Sequence, residues 1–554
     1  MVNILKNVDY IYAGKISSMT IQMDPTKPTA DLNREEFIDQ LKSPYNDWDF
    51  IIAGGGATGL GIAVDAASRG YRTLLLEQSD FAKATSSRST KLVHGGVRYL
   101  QKGDVGLVRE ALKERGYLAK NAPHLVKSQR FIIGNYKWWE RPFYTIGLTF
   151  YDLLSGSMSM GRSLPMSRKE VIRLIPGIVQ EGLRGGVIYY DGQFDDSRLA
   201  INLMQTAVEF GATVINYFRV SGLVKDNKGK ITGIVAEDML KNSKYNLNCR
   251  SIINATGIFV DELIKIDNPS MKPLVRPSQG IHLVVDKSFL GGDDAIMVPK
   301  TSDGRVMFGV PWHNRVILGT TDIPVKDFVL EPKALDEEID FILETAGRYL
   351  KKKPQRKDVL CVFAGLRPLA APKNDDGSSK TKEISRSHKL VVSQSGLVSI
   401  TGGKWTTYRR MAEDTVNEAI KISEMQFRPC KTKNLHIHGF KQNPDLNDRL
   451  YVYGSDKDQL ISFLKEDPAH DEKLHPDYEL TTGEVIWAVR KEMARNVEDV
   501  LARRIRLLFL DARASVIIAP RVAEIMAEEL HKDGEWQKQQ VKEFSGIAKA
   551  YIIS

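Results

Sequence analysis

An α/β fold is what the sequence predicts, with a parallel-sheet unit interleaved with an antiparallel sheet and followed by an α-helical domain. Three observations carry this. A short apolar run, Phe50–Ala53, leads into Gly54, Gly55, Gly56 and Gly59 and then into a helical segment, Leu60–Arg69, closed by Gly70. Between residues 272 and 357 short β-branched runs (GIHLVV, AIMVPK, RVMFGVPW, RVILGTTD) alternate with turn signals, the pattern of antiparallel strands. After Cys430 the periodicity turns helical with dense mixed charge, as in Gly483–Leu510, beyond a linker-like stretch, HGFKQNPDLND.

A chain of 554 residues exceeds one hydrophobic core, so several domains or one interleaved unit with an appendage are expected. With 42% hydrophobic and 27% charged residues the composition is that of a folded globular protein, not a disordered or fibrous one. Cys249, Cys361 and Cys430 lie far apart, with neither disulfide-framework nor metal-ligand spacing, which fits a reducing compartment and predicts no metal site. The absence of an 18-residue apolar run, or of a long apolar stretch near Met1, predicts neither a membrane span nor a secretory signal. The net charge of +9 is compatible with nucleic acid, anionic lipid or a phosphorylated metabolite as partner.

The glycine cluster reads as a Rossmann-like dinucleotide turn. Gly54 permits the tight turn, Gly56 lets backbone approach a pyrophosphate, and Gly59 allows close helix-on-strand packing, while the helix N-terminus offers N–H groups to the anion. The following strand, in YRTLLLEQSD, ends at Glu77, 18 residues past Gly59, where a carboxylate bonds a ribose hydroxyl and disfavours a 2′-phosphate. NAD and FAD both remain open at this point.

Further motifs narrow the choice. ATSSRSTKLVHGGVRYL (Ala84–Leu100), IINATG (Ile252–Gly257), SQGIHLVV (Ser278–Val285), LGTTD (Leu318–Asp322), FAGLRPL (Phe363–Leu369) and TGGKWTTYRRMAED (Thr401–Asp414) occur in this order. Together they resemble the FAD-dependent, respiratory-type glycerol-3-phosphate dehydrogenases, of the superfamily that includes D-amino-acid oxidase. The likeness covers roughly residues 48 to 415, and Thr481–Ser515 resembles the family's helical terminal domain. Past Ser515 there is no DxDxDG-type calcium loop, which points to the bacterial form. The resemblance implies a glutathione-reductase/D-amino-acid-oxidase type FAD domain with segments at about 47–121, 187–257 and 358–415. A substrate-covering sheet mainly at 272–357 completes an oxidoreductase unit of residues 47–430, and a helical domain follows at 431–554. Residues 1–46 form an extension with no assigned role.

The implied reaction is oxidation of sn-glycerol 3-phosphate to dihydroxyacetone phosphate, the C2 hydride passing to flavin N5. Guanidinium forks and an ammonium suit the phosphate, and Arg98, Arg367 and Lys404 are the matching cations, with Tyr99 orienting the substrate. A histidine suits the hydroxyl proton; His282 is preferred, with His94 or Arg367 assisting. For FAD the expected contacts are Gly54, Gly56, Ala57, Thr58 and Gly59; Glu77 and Gln78 at the ribose; and Thr85, Ser86 and Ser87 near the diphosphate. Lys91, Leu92, His94 and Gly95, then Ala255, Thr256 and Gly257, then Gly365 and Arg367 follow. Gly402, Gly403, Lys404, Trp405 and Thr406 lie by the flavin ring.

Two electron acceptors fit: a membrane quinone, or dioxygen as in a glycerol-3-phosphate oxidase that yields hydrogen peroxide. The quinone reading places the protein in the cytoplasm, peripherally on the inner face of the cytoplasmic membrane. Arg490, Lys491, Arg495, Arg503, Arg504 and Arg506 would then face anionic lipid, unless they form a solvated face or a homodimer contact. Arg141–Gly156, rich in aromatic residues and leucine, suits either a lipid interface or a core helix. Nucleic acid is not an expected partner.

Overall fold

A computed structural model describes residues 29–42, 47–101, 103–371 and 387–553. Two large sheets and a helical C-terminal domain organise it. The first sheet is the nucleotide-binding one. At its centre β1 (Asp47–Ala53) pairs in parallel with β2 (Thr73–Leu76) on one side and with the strand Ser243–Asn254 on the other. Thr213–Ile215 extends the β2 edge, Val398–Gly402 and His388–Val392 the other. β1 is buried on both faces, so it reads as the unbroken apolar run seen in the sequence.

The helix after β1 is Ala57–Ser68, starting three residues earlier than the apolar periodicity suggests, because Gly56 serves as its N-cap. Gly70, at φ +84°, closes it as expected. Gly59 is irreplaceable for packing: a Cβ there would sit 1.8 Å from the Gly54 carbonyl oxygen.

The second sheet is larger than the sequence suggested. Besides Val275–Asp286, Ala295–Val298, Met307–Trp312 and Arg315–Gly319 it takes in Leu92–Val93, Lys127–Asn135 and Gly185–Gln193, and Val359–Ala370 pairs with Val275–Asp286. Two segments expected to return to the nucleotide, at 187–257 and 358–415, therefore each begin with a strand of the antiparallel sheet. Their buried apolar character is common to both sheets and does not show to which one a strand belongs.

Part of the N-terminal stretch is integral to the fold. Residues 1–28 and 43–46 lie outside the described residues, but the helix Arg34–Leu41 buries Ile38 and Leu41 against the nucleotide-binding sheet. Arg34, 1% exposed, is bonded to Asp238 (2.8 Å), and the Leu32 N–H donates to the Arg490 carbonyl oxygen (2.8 Å).

The amphipathic run Gly483–Leu510 is not one helix. It divides into Thr482–Lys491, a π-helical turn Asp499–Arg504 and Leu507–Leu510, with Met493 and Arg506 at positive φ. The cations expected to face lipid turn inward or pair locally. Arg503 and Arg504 reach Asp80 at 2.5 and 2.7 Å, Arg506 reaches Asp196 at 3.0 Å, Lys491 pairs with Asp31 and Arg490 with Glu529. Buried guanidinium groups need carboxylates, and for Arg503, Arg504 and Arg506 these include Asp80 and Asp196, which lie outside the helical domain.

The segment around Arg141–Gly156 is a helix, Glu140–Ser155, that combines both expectations. Leu148, Tyr151 and Ser155 are buried, while Phe143, Ile146, Phe150 and Leu153 are 54, 72, 45 and 71% exposed and share the opposite stripe. No helix among the described residues is long and apolar enough to cross a membrane.

Candidate active site

A cleft of about 420 Å³ runs along the C-terminal edge of the first sheet. Gly54, Gly56, Ala57, Thr58, Glu77, Gln78, Thr85 and Ser86 line it together with Ala255, Thr256 and Gly257, and Gly402, Gly403, Lys404 and Trp405 complete it at the end beside Tyr99, the Trp405 indole N–H donating to the Ser86 carbonyl (2.8 Å). Glu77 projects from the end of β2, and its carboxylate accepts from the Gly55 and Ser79 N–H groups at 2.6 and 2.9 Å. Burial pushes this carboxyl up, and the two amides oppose the shift. The open helix N-terminus at Gly56, the glycine walls and the carboxylate at the β2 end suit an adenine dinucleotide. Gly402 and Gly403, at φ +77° and +70°, let the chain turn closely around the far end. The residues present fit FAD.

A second cavity, of about 160 Å³, adjoins that end, between the turn following Leu92–Val93 and the antiparallel sheet. His94, Tyr99 and Arg367 meet in its wall with Thr90, Leu92 and Asp191. The Arg367 guanidinium bonds the Thr320 hydroxyl and the Thr321 carbonyl (3.1 and 3.0 Å) and lies 3.5 Å from Asp322. It lies over Gly280, where a Cβ would come within 2.2 Å of Nη2, so the glycine in SQGIHLVV makes room for the fork. The Lys404 ammonium stands 4.0 Å from the Tyr99 ring centroid, at the join between cleft and cavity.

Several expected contacts are placed otherwise. His282 stands behind the cavity wall, 2% exposed: its Nε2 bonds the Thr90 hydroxyl (2.9 Å) and its ring stacks on Phe363. Burial, with Lys91 and Arg367 nearby, pushes it well below the ordinary imidazole value. Lys91 is fully buried, bonded to Asp196 (2.7 Å) and the Ser87 carbonyl (2.8 Å), and lines neither space. Ser87 thus supports the wall through its carbonyl, and Gly365 packs against Arg88. Thr406 is buried and accepts from the His94 N–H (3.1 Å), while the Gly95 N–H donates to Tyr151 (2.8 Å). Arg98 lies in the short helix Val97–Gln101, and its side chain falls outside the described residues.

Sequence reasoning missed Arg305, Asp191 and the Thr320–Asp322 turn, all in the cavity wall. RVMFGVPW and LGTTD were visible as motifs, but only the sheet register shows which of their residues face the cavity.

Residues 49–409 match the family described as FAD dependent oxidoreductase, and residues 398–540 match the C-terminal domain of alpha-glycerophosphate oxidase. The mitochondrial glycerol-3-phosphate dehydrogenase of Rattus norvegicus is 38% identical over 556 residues, 94% of this chain and 75% of that protein. The corresponding Saccharomyces cerevisiae protein is 34% identical, covering 94% of this chain and 92% of its own. Among solved structures, the glycerol-3-phosphate dehydrogenase from Bacillus halodurans complexed with FAD superposes with a TM-score of 0.76 at 28% identity, covering 94% of this chain and 97% of that one. With the glycine-walled cleft and the adjoining cavity edged by Arg367 and Arg305, these matches show that the chain belongs to the FAD-dependent oxidoreductase family and, within it, to the glycerol-3-phosphate dehydrogenases.

Proposed function

We propose that the chain oxidises sn-glycerol 3-phosphate at C2 to dihydroxyacetone phosphate and delivers the electrons to a membrane quinone. The observation that carries this reading is the contact of Lys404 with Tyr99, which sets a dinucleotide-shaped cleft beside a small cavity edged by Arg367 and Arg305. Gly54, Gly56, Glu77, Gly402 and Gly403 would hold FAD, which would supply the hydride-accepting chemistry. The other tasks fall to side chains. Arg367 and Arg305 suit a phosphate dianion through charge-assisted N–H bonds. His94, in the cavity wall, is the better placed acceptor for the C2 hydroxyl proton, and His282 acts one residue further back by orienting Thr90. Lys404 adds positive charge at the flavin end of the cleft.

The apolar stripe of Glu140–Ser155 supports peripheral docking on a lipid surface, in a bacterial cell the inner face of the cytoplasmic membrane. Trp138 and Trp139 stand at its start, 78 and 41% exposed, with exposed Lys137 and Arg141 beside them, the composition of an interfacial helix. The reaction is tested anaerobically: glycerol 3-phosphate is expected to bleach the flavin band, and a soluble quinone to restore it faster than oxygen does. Fast recovery with oxygen and release of peroxide would make the protein an oxidase, and no bleaching would refute the substrate.

A further inference from the structure

We infer that Tyr151 is a positioning residue for the reaction, holding the His94–Gly96 turn in place from the inner face of the helix Glu140–Ser155. The inference rests on the role given to His94 above. Tyr151 is 1% exposed and makes two hydrogen bonds of opposite sense. The Gly95 N–H donates to its Oη at 2.8 Å, and its O–H donates to Asp191 Oδ2 at 2.8 Å. Asp191, itself in the cavity wall, accepts from Arg115 at 2.6 Å, and Arg115 reaches back to Ser155 on the same helix as Tyr151 (3.3 Å).

The middle of this relay needs one atom that both donates and accepts, and a neutral phenol supplies it. Burial and the adjacent Asp191 push the phenol well above its ordinary value, so its proton stays in place and the direction of the bonds is fixed. The fit leaves no slack: a Cβ on Gly95 would lie 2.6 Å from Tyr151 Oη. On the other side of the turn the His94 N–H is held by Thr406, beside the flavin end of the cleft. Two consecutive amides are thus pinned from opposite sides, one by the nucleotide-binding unit and one by the helix, and the imidazole between them inherits that placement.

The test uses the FAD-loaded full chain carrying Tyr151→Phe, which keeps the ring and removes the relay. FAD content is expected to hold, with single-turnover bleaching by glycerol 3-phosphate slowed about tenfold and kcat affected more than KM. In a His94→Ala background the same substitution is expected to add less than about twofold, because no imidazole remains to be placed. Equal losses in both backgrounds, or undiminished bleaching in Tyr151→Phe, would overturn the inference by reducing the relay to a packing contact. Should Tyr151→Phe fail to fold, Asp191→Asn applies the same cycle one link further along. A wild-type protein that glycerol 3-phosphate does not bleach would refute the reaction itself, which separates that failure from this one.

Discussion

Arg504 and Asp80 form an ion pair of 2.7 Å across 424 positions of sequence, with both side chains withdrawn entirely from solvent. Arg503 shares the same carboxylate at 2.5 Å. The pair fastens the helical domain to the loop that leaves β2, and that loop carries Thr85 and Ser86 into the nucleotide cleft. Burial by itself would raise the Asp80 carboxyl; Arg504 and Arg503 instead hold it far below the carboxylate range.

Asp80→Asn leaves two buried guanidinium groups without their shared partner, a loss of about 3 kcal/mol or more in unfolding free energy. Denaturant titration should show it, and FAD release should quicken with it. A variant as stable as the wild type would mean that Glu498, Asp499 and Glu492 suffice for both arginines.

Arg367→Ala removes the fork from the wall of the second cavity and takes from Asp322 its guanidinium neighbour. Capture of glycerol 3-phosphate, read as kcat/KM, should fall on the order of a hundredfold while FAD content changes little. Parallel loss of substrate capture and of FAD would reassign the residue to the cofactor.

The two histidines separate by what each loses. His94→Ala should slow flavin reduction by about a hundredfold with little change in melting temperature. His282→Ala opens a cavity beside Phe363 and leaves Thr90 unbonded, so its main cost should be stability, roughly 2 to 4 kcal/mol. The opposite pattern in stopped-flow and melting experiments would return the proton-accepting role to His282.

His438 sits between Asp456 (2.7 Å) and Glu209 (2.5 Å). Burial would lower its pKa, but hydrogen bonds to these carboxylates carry it up to about 10. A folded value above the unfolded one of about 6.5 gives stability that is complete below that value and is lost as pH rises towards 10. Glu209 is partly exposed, so the loss between pH 7 and 10 should be modest, on the order of 2 kcal/mol. Lys91, lowered to about 8 by burial, works with the opposite sign in that window. The measurement is therefore the difference in melting temperature between wild type and His438→Gln across pH 6 to 10; a constant difference would remove the histidine from the pH dependence.

Ile146→Glu with Leu153→Glu places charge on the exposed stripe without touching the buried face. Binding to vesicles of anionic phospholipid should drop at least tenfold, with reduction of a soluble quinone unaltered. Unchanged vesicle binding together with a shift from dimer to monomer would assign the stripe to a second copy of the chain.

Local physics made the nucleotide half of the protein legible. The glycines between β1 and its helix, the carboxylate at Glu77 and the apolar runs answer to sterics and hydrophobicity within a few residues of each other, so their meaning survives without the fold. The cations of the C-terminal helices did not carry their meaning in this way. A run of arginines reads alike whether it faces lipid or Asp80, because the partner that decides lies hundreds of positions away. The same holds for His282 and His94: both stand in glycine-bounded motifs, and only the packing of strand against strand puts one behind the wall and the other in it. Sequence determined the cofactor class, through the ordered motifs that resemble the family. Tertiary structure decided which of their residues line the cavity, because burial and the sign of a neighbouring charge belong to the folded chain alone.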